Sequence, residues 1–509
     1  METAKPSWIL LQNAYGLVIG YITYFMIFRH AGVVAFGIFS FALSFGLIFS
    51  FVSDLGINTA HVRMIAAGKD RNEYNNALVL MKVFLTAIYV AVILLSIFFW
   101  TVVLHHGFEY KYEYYSILLL FPYFVSLPYI QANRAFFTGT MEAAKMSFPA
   151  IVESTVRLAA IVAFIRFNIF NLTNLNEMAL LIAVSYSISY AVYAILSFAV
   201  GRPWNFKWPR REVIGDYLKY SYPLMGVAVA SAVSGNLAQI LIQLSNYSFQ
   251  LGGYAGSLRI IAIVTGFTTS VTVLILPILT SHFGTKEEYG KTVGLMTKYL
   301  AVFITPITVF AIIFASPILN IWTEQLIPFT FTLQILLSGT WFTTMSIPYW
   351  THFNAIGRTR ISGGINIAGY LLTIALDLVL IPSNILGIRV AGLGVNGAAY
   401  ASLISGIVLL IVSIIALGRT VKIPITFESL RGIVISLLLG VPFYYFLHSD
   451  SRMPALYLLA FFIIYALAYM GLLIASRTLS KQEMLDILNM VNVKKMARYA
   501  IDELKKPSQ

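Results

Sequence analysis

Residues 76–103 read NALVLMKVFLTAIYVAVILLSIFFWTVV, and Lys82 is the one charged side chain among them. The stretch has neither the alternation of a half-buried strand nor the polar face of a helix on a soluble protein. Rising 1.5 Å per residue as a helix, it is long enough to cross about 30 Å of hydrocarbon. Comparable stretches follow one another along the chain. They are expected at 8–28, 33–57, 76–103, 114–134, 146–166, 177–200, 218–243, 254–281, 293–317, 326–348, 362–382, 397–418, 427–448 and 453–476. The 509 residues are 59% hydrophobic and only 11% charged, more apolar surface than one soluble core encloses. The expected fold is therefore an all-α polytopic membrane protein of about 14 transmembrane helices. A membrane β-barrel would show strands of about ten alternating residues instead. The first apolar run is itself long enough to span, and no small-residue cleavage site follows it, so it reads as a helix and not a signal peptide.

Absent cysteine rules out disulfides and thiolate metal sites. His105-His106 stands too isolated for a metal site. A membrane-embedded enzyme such as a glycosyltransferase would need a carboxylate or metal cluster and, usually, a sizeable soluble domain, and neither is evident. The formal charge of +13 is read as the cytoplasmic face and its anionic lipids, not as a nucleic-acid surface.

Lysine and arginine gather in the termini and in alternate connections: Lys69 and Arg71, Arg202 to Arg211, Lys286 and Lys291, Arg358 and Arg360, Arg419 and Lys422, and the tail. The positive-inside rule then places both termini in the cytoplasm of a cell-membrane protein. The same rule accounts for Lys82 and Arg134. The tail, 480–506, has a capping-box start at Ser480 and Glu483 and apolar residues at helical spacing beside Lys494, Lys495 and Arg498. It reads as an amphipathic helix on the inner leaflet. Tyr110, Tyr112, Tyr114 and Tyr115 read as an interfacial aromatic belt.

The chain also repeats itself. Phe36-Gly37-Ile38-Phe39-Ser40 after span 1 matches Leu251-Gly252-Gly253-Tyr254-Ala255 after span 7. Phe137-Thr138-Gly139 matches Ala355-Ile356-Gly357 at nearly the same separation. Two pseudo-symmetric six-helix lobes of the same orientation follow, with their axis along the membrane normal. The expected layout is an N-lobe at 1–200, a basic cytoplasmic linker at 201–217, a C-lobe at 218–418 and two further helices at 427–476.

With Gly32, the Phe36-to-Ser40 run, Asp54-Leu55-Gly56-Ile57-Asn58-Thr59-Ala60 and Arg63, the opening resembles that of polysaccharide-export flippases. These belong to the multidrug/oligosaccharidyl-lipid/polysaccharide superfamily. Gly252-Gly253-Tyr254-Ala255, Pro277, Gly357-Arg358, Leu380-Ile381-Pro382 and Gly397-Ala398-Ala399 continue the resemblance in order. It implies two lobes around a cleft that opens to either side, no cofactor and no bond-making chemistry. The substrate would be a lipid-linked oligosaccharide or polysaccharide precursor, carried by a monomer among membrane lipids. An ion-coupled multidrug exporter of the same superfamily is the alternative, although its cavity usually needs carboxylates for cationic drugs. The chain departs from relatives in two places that bear on sodium or proton coupling. Gln239 stands where span 7 often has a carboxylate, and span 1 offers only Asn13.

Charges at bilayer depth are costly unless they face a partner, water or a substrate, so they are the first site candidates. Arg259, five residues after Tyr254, resembles an arginine that faces the cavity of lipid II flippases. Its fork suits a pyrophosphate, unless it snorkels to headgroups. Glu153 and Arg157, four residues apart, share a helix face and are read as a neutralising pair or as substrate contacts. Asp54 and Arg63 are read as a cap or pair at the cytoplasmic mouth, or as a gate. Asp377, with Thr373 a turn earlier, resembles part of a sodium site, to which Gln239, Asn236 and Ser402 or Ser405 would contribute.

Overall fold

The computed structural model describes residues 5–103, 108, 111–167, 174–201, 208–280, 286–356, 358–385, 387–419, 427–447 and 452–478. The tail expected at 480–506, residues 202–207 of the linker, the histidine pair and Tyr110 lie outside these residues. Twelve of the described helical stretches are long and apolar enough to cross a membrane. Leu430–Tyr445 is a shorter apolar helix. The span expected at 254–281 runs helically to Thr280, with side chains described as far as residue 266. The fold is thus all-α and polytopic, as the apolar runs require.

The chain divides into two compact units, one holding Met1–Ala255 and the other Gly256–Ala497. The helix that follows the linker packs with the first unit as far as Ala255.

In the first unit, α1 (Lys5–His30), α2 (Gly32–Leu47), α5 (Arg71–Phe98), α7 (Phe121–Thr140), α8 (Ala143–Phe167), α9 (Met178–Gly201) and the start of α10 (Arg211–Thr280) are the long elements. The short helices α3 (Phe51–Asp54) and α6 (Lys111–Leu119) lie within the spans Gly32–Asp54 and Lys111–Thr140, and α4 (Ile57–Ala66) follows the first of these. Between α3 and α4 the backbone is left-handed at Leu55 (φ 46°) and Gly56 (φ 80°). α10 is interrupted at Tyr247, whose φ of 81° and ψ of 152° are not helical.

The most enclosed span of this unit is Gly32–Asp54, 72% of whose apolar window is buried. Its neighbours approach closer than any side chain allows. A β-carbon built on Gly37 would lie 1.8 Å from the Ser248 carbonyl oxygen, and one on Gly252 would lie 2.0 Å from the Val33 carbonyl oxygen. The two glycines that mark the two copies of the repeat therefore pack α2 onto α10. Small residues of this kind are what let membrane helices touch, since lipid is as apolar as leucine. Around the seam the rings of Phe28, Phe36, Phe39 and Tyr186 pack in tilted pairs.

In the second unit, α11 (Lys286–Ile313), α13 (Thr330–Ala355), α14 (Thr359–Leu380) and α15 (Gly394–Gly418) follow the same rule. Gly339 and Gly406 bring α13 against α15, and Gly397 meets the Leu380 carbonyl. Gly397-Ala398-Ala399 and Leu380-Ile381-Pro382, which carried part of the resemblance, are thus in contact. A two-stranded hairpin, β1 (Asn384–Ile385) and β2 (Ile388–Arg389), joins α14 to α15. α16 (Phe427–Leu447) and α17 (Ala455–Ala475) join α11 and α12 (Ala315–Trp322) through Phe310, Phe314, Phe443, Phe461 and Tyr465. Tyr469 donates to the Val302 carbonyl at 3.0 Å.

Overpacking a tight seam typically costs about 1–3 kcal/mol. Gly37→Val and Gly252→Val are expected to lower the detergent-solubilised protein's thermal midpoint and its yield. Gly16→Ala, where an added β-carbon meets nothing within 4 Å, should leave both unchanged. Thermal unfolding followed by size exclusion checks the contrast.

Candidate functional site

Arg157 stands close to the middle of α8, about 3 Å along the axis from its centre, and so at the depth where charge is most costly. Glu153, one turn earlier, holds its Nη1 at 3.2 Å, with both side chains almost wholly enclosed. The carboxylate also accepts from the Ser189 hydroxyl at 3.1 Å. The guanidinium carbon lies 5.0 Å from the centre of the Tyr186 ring, and Tyr186 exchanges a 3.0 Å hydrogen bond with Tyr24. Arg157 Nε is buried and meets no acceptor among the described residues. The group is therefore clamped on one edge by a carboxylate and on one face by a ring, with the Nε donor left over. Tyr123 and Tyr190 continue the aromatic lining, their rings 4.2 Å apart.

The pair expected at the cytoplasmic mouth separates. Asp54 accepts from the Asn58 amide at 3.2 Å, starting α4, and meets Lys82 Nζ at 3.2 Å. Lys82 is wholly buried and also donates to the Ser53 carbonyl at 2.7 Å. Positive-inside placement does not describe a lysine enclosed in this way; a specific buried ion pair does. Arg63 turns elsewhere, donating to the Tyr220 hydroxyl at 2.9 Å and lying 4.6 Å from its ring centre.

Beside these residues α4, α5 and the N-terminal end of α10 share a polar network missed in the sequence. His61 Nδ1 and the Tyr217 hydroxyl are 2.6 Å apart, and that hydroxyl donates to the Tyr74 carbonyl at 3.0 Å. The Tyr74 hydroxyl donates to Asp216, which also faces Lys69 at 3.5 Å. The Tyr74 hydroxyl, and then the Asp216 carboxylate, raise the Lys69 ammonium above its ordinary value. Arg210 grips Glu73 with both nitrogens, at 2.7 and 3.1 Å. Near the other end of the span, Gln243 bridges Glu113 at 2.7 Å and Ser248 at 2.9 Å, next to the break at Tyr247.

The four residues expected for an ion site divide between the units. Asn236 and Gln239 belong to the first, where Asn236 donates to its own helix at the Ala232 carbonyl. Thr373 and Asp377 belong to the second. Thr373 donates to the Gly369 carbonyl at 3.0 Å, and Asp377 is buried with Oδ2 meeting no partner among the described residues. Tyr254 is buried and Arg259 half-buried, one helical segment carrying both. No group of three or more metal-ligating side chains occurs among the described residues.

These features, apolar spans joined by glycine seams with a few enclosed and mostly paired charges, define a polytopic α-helical membrane protein. The sequence model of the family described as "Polysaccharide biosynthesis protein" matches residues 3–283, and the chain belongs to that family. Among curated proteins no relative matches by sequence. Among solved structures the fold matches the lipid II flippase MurJ in an inward closed conformation. The TM-score is 0.71 at 15% identity, over 91% of this chain and 97% of that one. It also matches an inward-facing multidrug resistance MATE family transporter of the MOP superfamily, with TM-score 0.58 at 16% identity, over 80% of this chain and 96% of that one. A MOP superfamily transporter from Pyrococcus furiosus, reported with a binding pocket of reversed polarity, matches with TM-score 0.50 at 15% identity, over 81% and 95%. The resemblance read from the glycine motifs and the all-α fold are borne out.

Removing one partner of a buried ion pair costs about 3–5 kcal/mol when the other is left enclosed. Lys82 is the more enclosed partner, so Asp54→Asn is expected to destabilise more than Lys82→Met. The double variant should fall close to Lys82→Met alone. Thermal midpoints of the purified proteins measure the order.

Proposed function

We propose that this chain carries a lipid-linked oligosaccharide or polysaccharide precursor from the cytoplasmic to the outer leaflet of the cell membrane by alternating access. The carrying observation is that the family match and the fold agree. A polysaccharide-biosynthesis family covers residues 3–283, and the body shared with a lipid II flippase extends over 91% of the chain. No covalent bond changes, so no catalytic residue or cofactor is required. The chain acts as a monomer with both termini in the cytoplasm, and its lobes are 1–200 and 218–418, joined by 201–217 and followed by 427–476.

The difficulty of the task is the charge of the phosphate-bearing head, whose desolvation in hydrocarbon must be offset by fixed donors. Arg157 supports this role because its orientation is already set by Glu153 and Tyr186 while Nε remains available. Arg259, with Tyr254, supplies the second contact. Asp54 and Arg63 act at the cytoplasmic gate. Sodium or protons drive the cycle through Asp377, Thr373, Gln239 and Asn236.

Deleting the gene is expected to make one lipid-linked glycan accumulate on the cytoplasmic side. Re-expression should clear it, whereas Arg157→Ala and Arg259→Ala should not, although both reach the membrane. Mass spectrometry of extracted lipids reads the result. Absence of any accumulating glycan, together with a gain of drug sensitivity on deletion, would replace this reading by drug export. If Asp377 holds the coupling ion, transport by reconstituted protein rises with sodium or with a proton gradient, and Asp377→Asn loses that dependence.

A further inference from the structure

At the inner end of α5 and α10 lies a cavity of about 400 Å³ lined by Asp70, Asn72, Glu73, Asn76, Trp208 and Arg210, with Pro209 at its back. This is within the range of small-ligand sites, about 300–1,000 Å³. Two of its features bear on what it could hold. Trp208 is 83% exposed, an unusual state for the largest apolar side chain. Asn72 and Asn76, one turn apart, share the α5 face that lines the cavity.

The remaining charges restrict the occupant. Arg210 is spent on Glu73, gripped through two nitrogens. Asp70 caps α5 by accepting from the Glu73 amide at 2.7 Å, and its carboxylate keeps a second oxygen. Two carboxylates against one guanidinium leave the lining net negative, and a phosphate is repelled. What fits is a neutral or amine-bearing polyol. A carboxylate and two amides offer acceptors and donors to hydroxyls, and an indole face covers the apolar C–H side of a ring.

We propose that this cavity is a cytoplasmic subsite for a sugar ring of the substrate's headgroup, with Trp208 as its platform and Asp70, Asn72 and Asn76 as its hydrogen-bonding wall. The inference rests on the proposed function for its biological meaning but not for its test. Trp208 sits where an interfacial tryptophan is at home, so a headgroup at the inner leaflet reaches it without entering the membrane. The phosphate is bound elsewhere, by the arginines at depth, so the sugar is read before the charge is moved.

The full chain in detergent micelles is to be examined by saturation-transfer NMR against a panel of free sugars: glucose, galactose, mannose, N-acetylglucosamine and glucosamine. Inorganic pyrophosphate serves as the anionic probe. At least one sugar is expected to receive saturation from the wild type. Trp208→Ala should reduce that signal at least fivefold, Asn72→Ala with Asn76→Ala comparably, and Trp208→Phe should keep much of it. Pyrophosphate binding should be unchanged by all three. No saturation transfer to any sugar overturns the subsite, as does a signal indifferent to Trp208→Ala. Pyrophosphate binding that falls with Trp208→Ala overturns it in favour of an anion site. If the lipid-linked glycan accumulates on deletion but sugars do not bind, only the subsite fails. If sugars bind and no glycan accumulates, only the flipping reading fails.

Discussion

Lipid gives two apolar helices no solvent-driven reason to stay together, so α2 is held to α10 by contact itself, and contact there needs Gly37 and Gly252. Each glycine faces a backbone carbonyl at a distance where no side chain fits. Their separation along the chain is that of the repeat. The same positions that identify the two copies are the ones that let the helices meet. Enclosure of the Gly32–Asp54 span follows, and with it the placement of Asp54 at the lower end beside Lys82.

Charge obeys the second constraint. Among the described residues the enclosed ionised groups of the first unit come with short-range partners: Lys82 with Asp54, Arg157 with Glu153, and Glu113 with Gln243. Such pairs are weak evidence of net stability, because desolvation takes back most of the attraction. Their effect is to fix geometry. The guanidinium of Arg157 is confined by a carboxylate at its edge and a ring at its face, which leaves it little rotamer freedom.

The spans were legible because hydrophobic run length is a one-dimensional signal. Their internal breaks were not. The left-handed turn at Leu55 and Gly56, the division between α6 and α7 and the non-helical Tyr247 all lie inside uniformly apolar or mixed sequence. Glu153 with Arg157 was visible as a pair because four residues on a helix are neighbours. Arg63 with Tyr220 was not, because its partner stands 157 residues away. Lys82 was misread for the same reason: a lysine near a span end normally marks the cytoplasmic face, and only the fold reveals Asp54 beside it. The network of His61, Tyr74, Asp216 and Tyr217 consists of residue types that carry no motif, so nothing in their spacing singled them out.

That network explains why the N-terminal end of α10 belongs with the first unit although the linker precedes it. Arg210, just before the helix, and its residues 216, 217, 220 and 224 each touch α4, α5 or the turn between α3 and α4. The exposed contacts are individually cheap to break, since a surface ion pair is worth about 0–1 kcal/mol. The buried ones are not: separating Tyr217 from His61 and from the Tyr74 carbonyl strands polar groups where water is scarce, at about 1–3 kcal/mol each. Four of these five attachments lie on about the first four turns of α10 and the fifth immediately precedes it. These attachments tie the start of α10 to α4 and α5, and the Trp208 cavity lies beside them, lined by the start of α5 and by residues 208–210 just before α10.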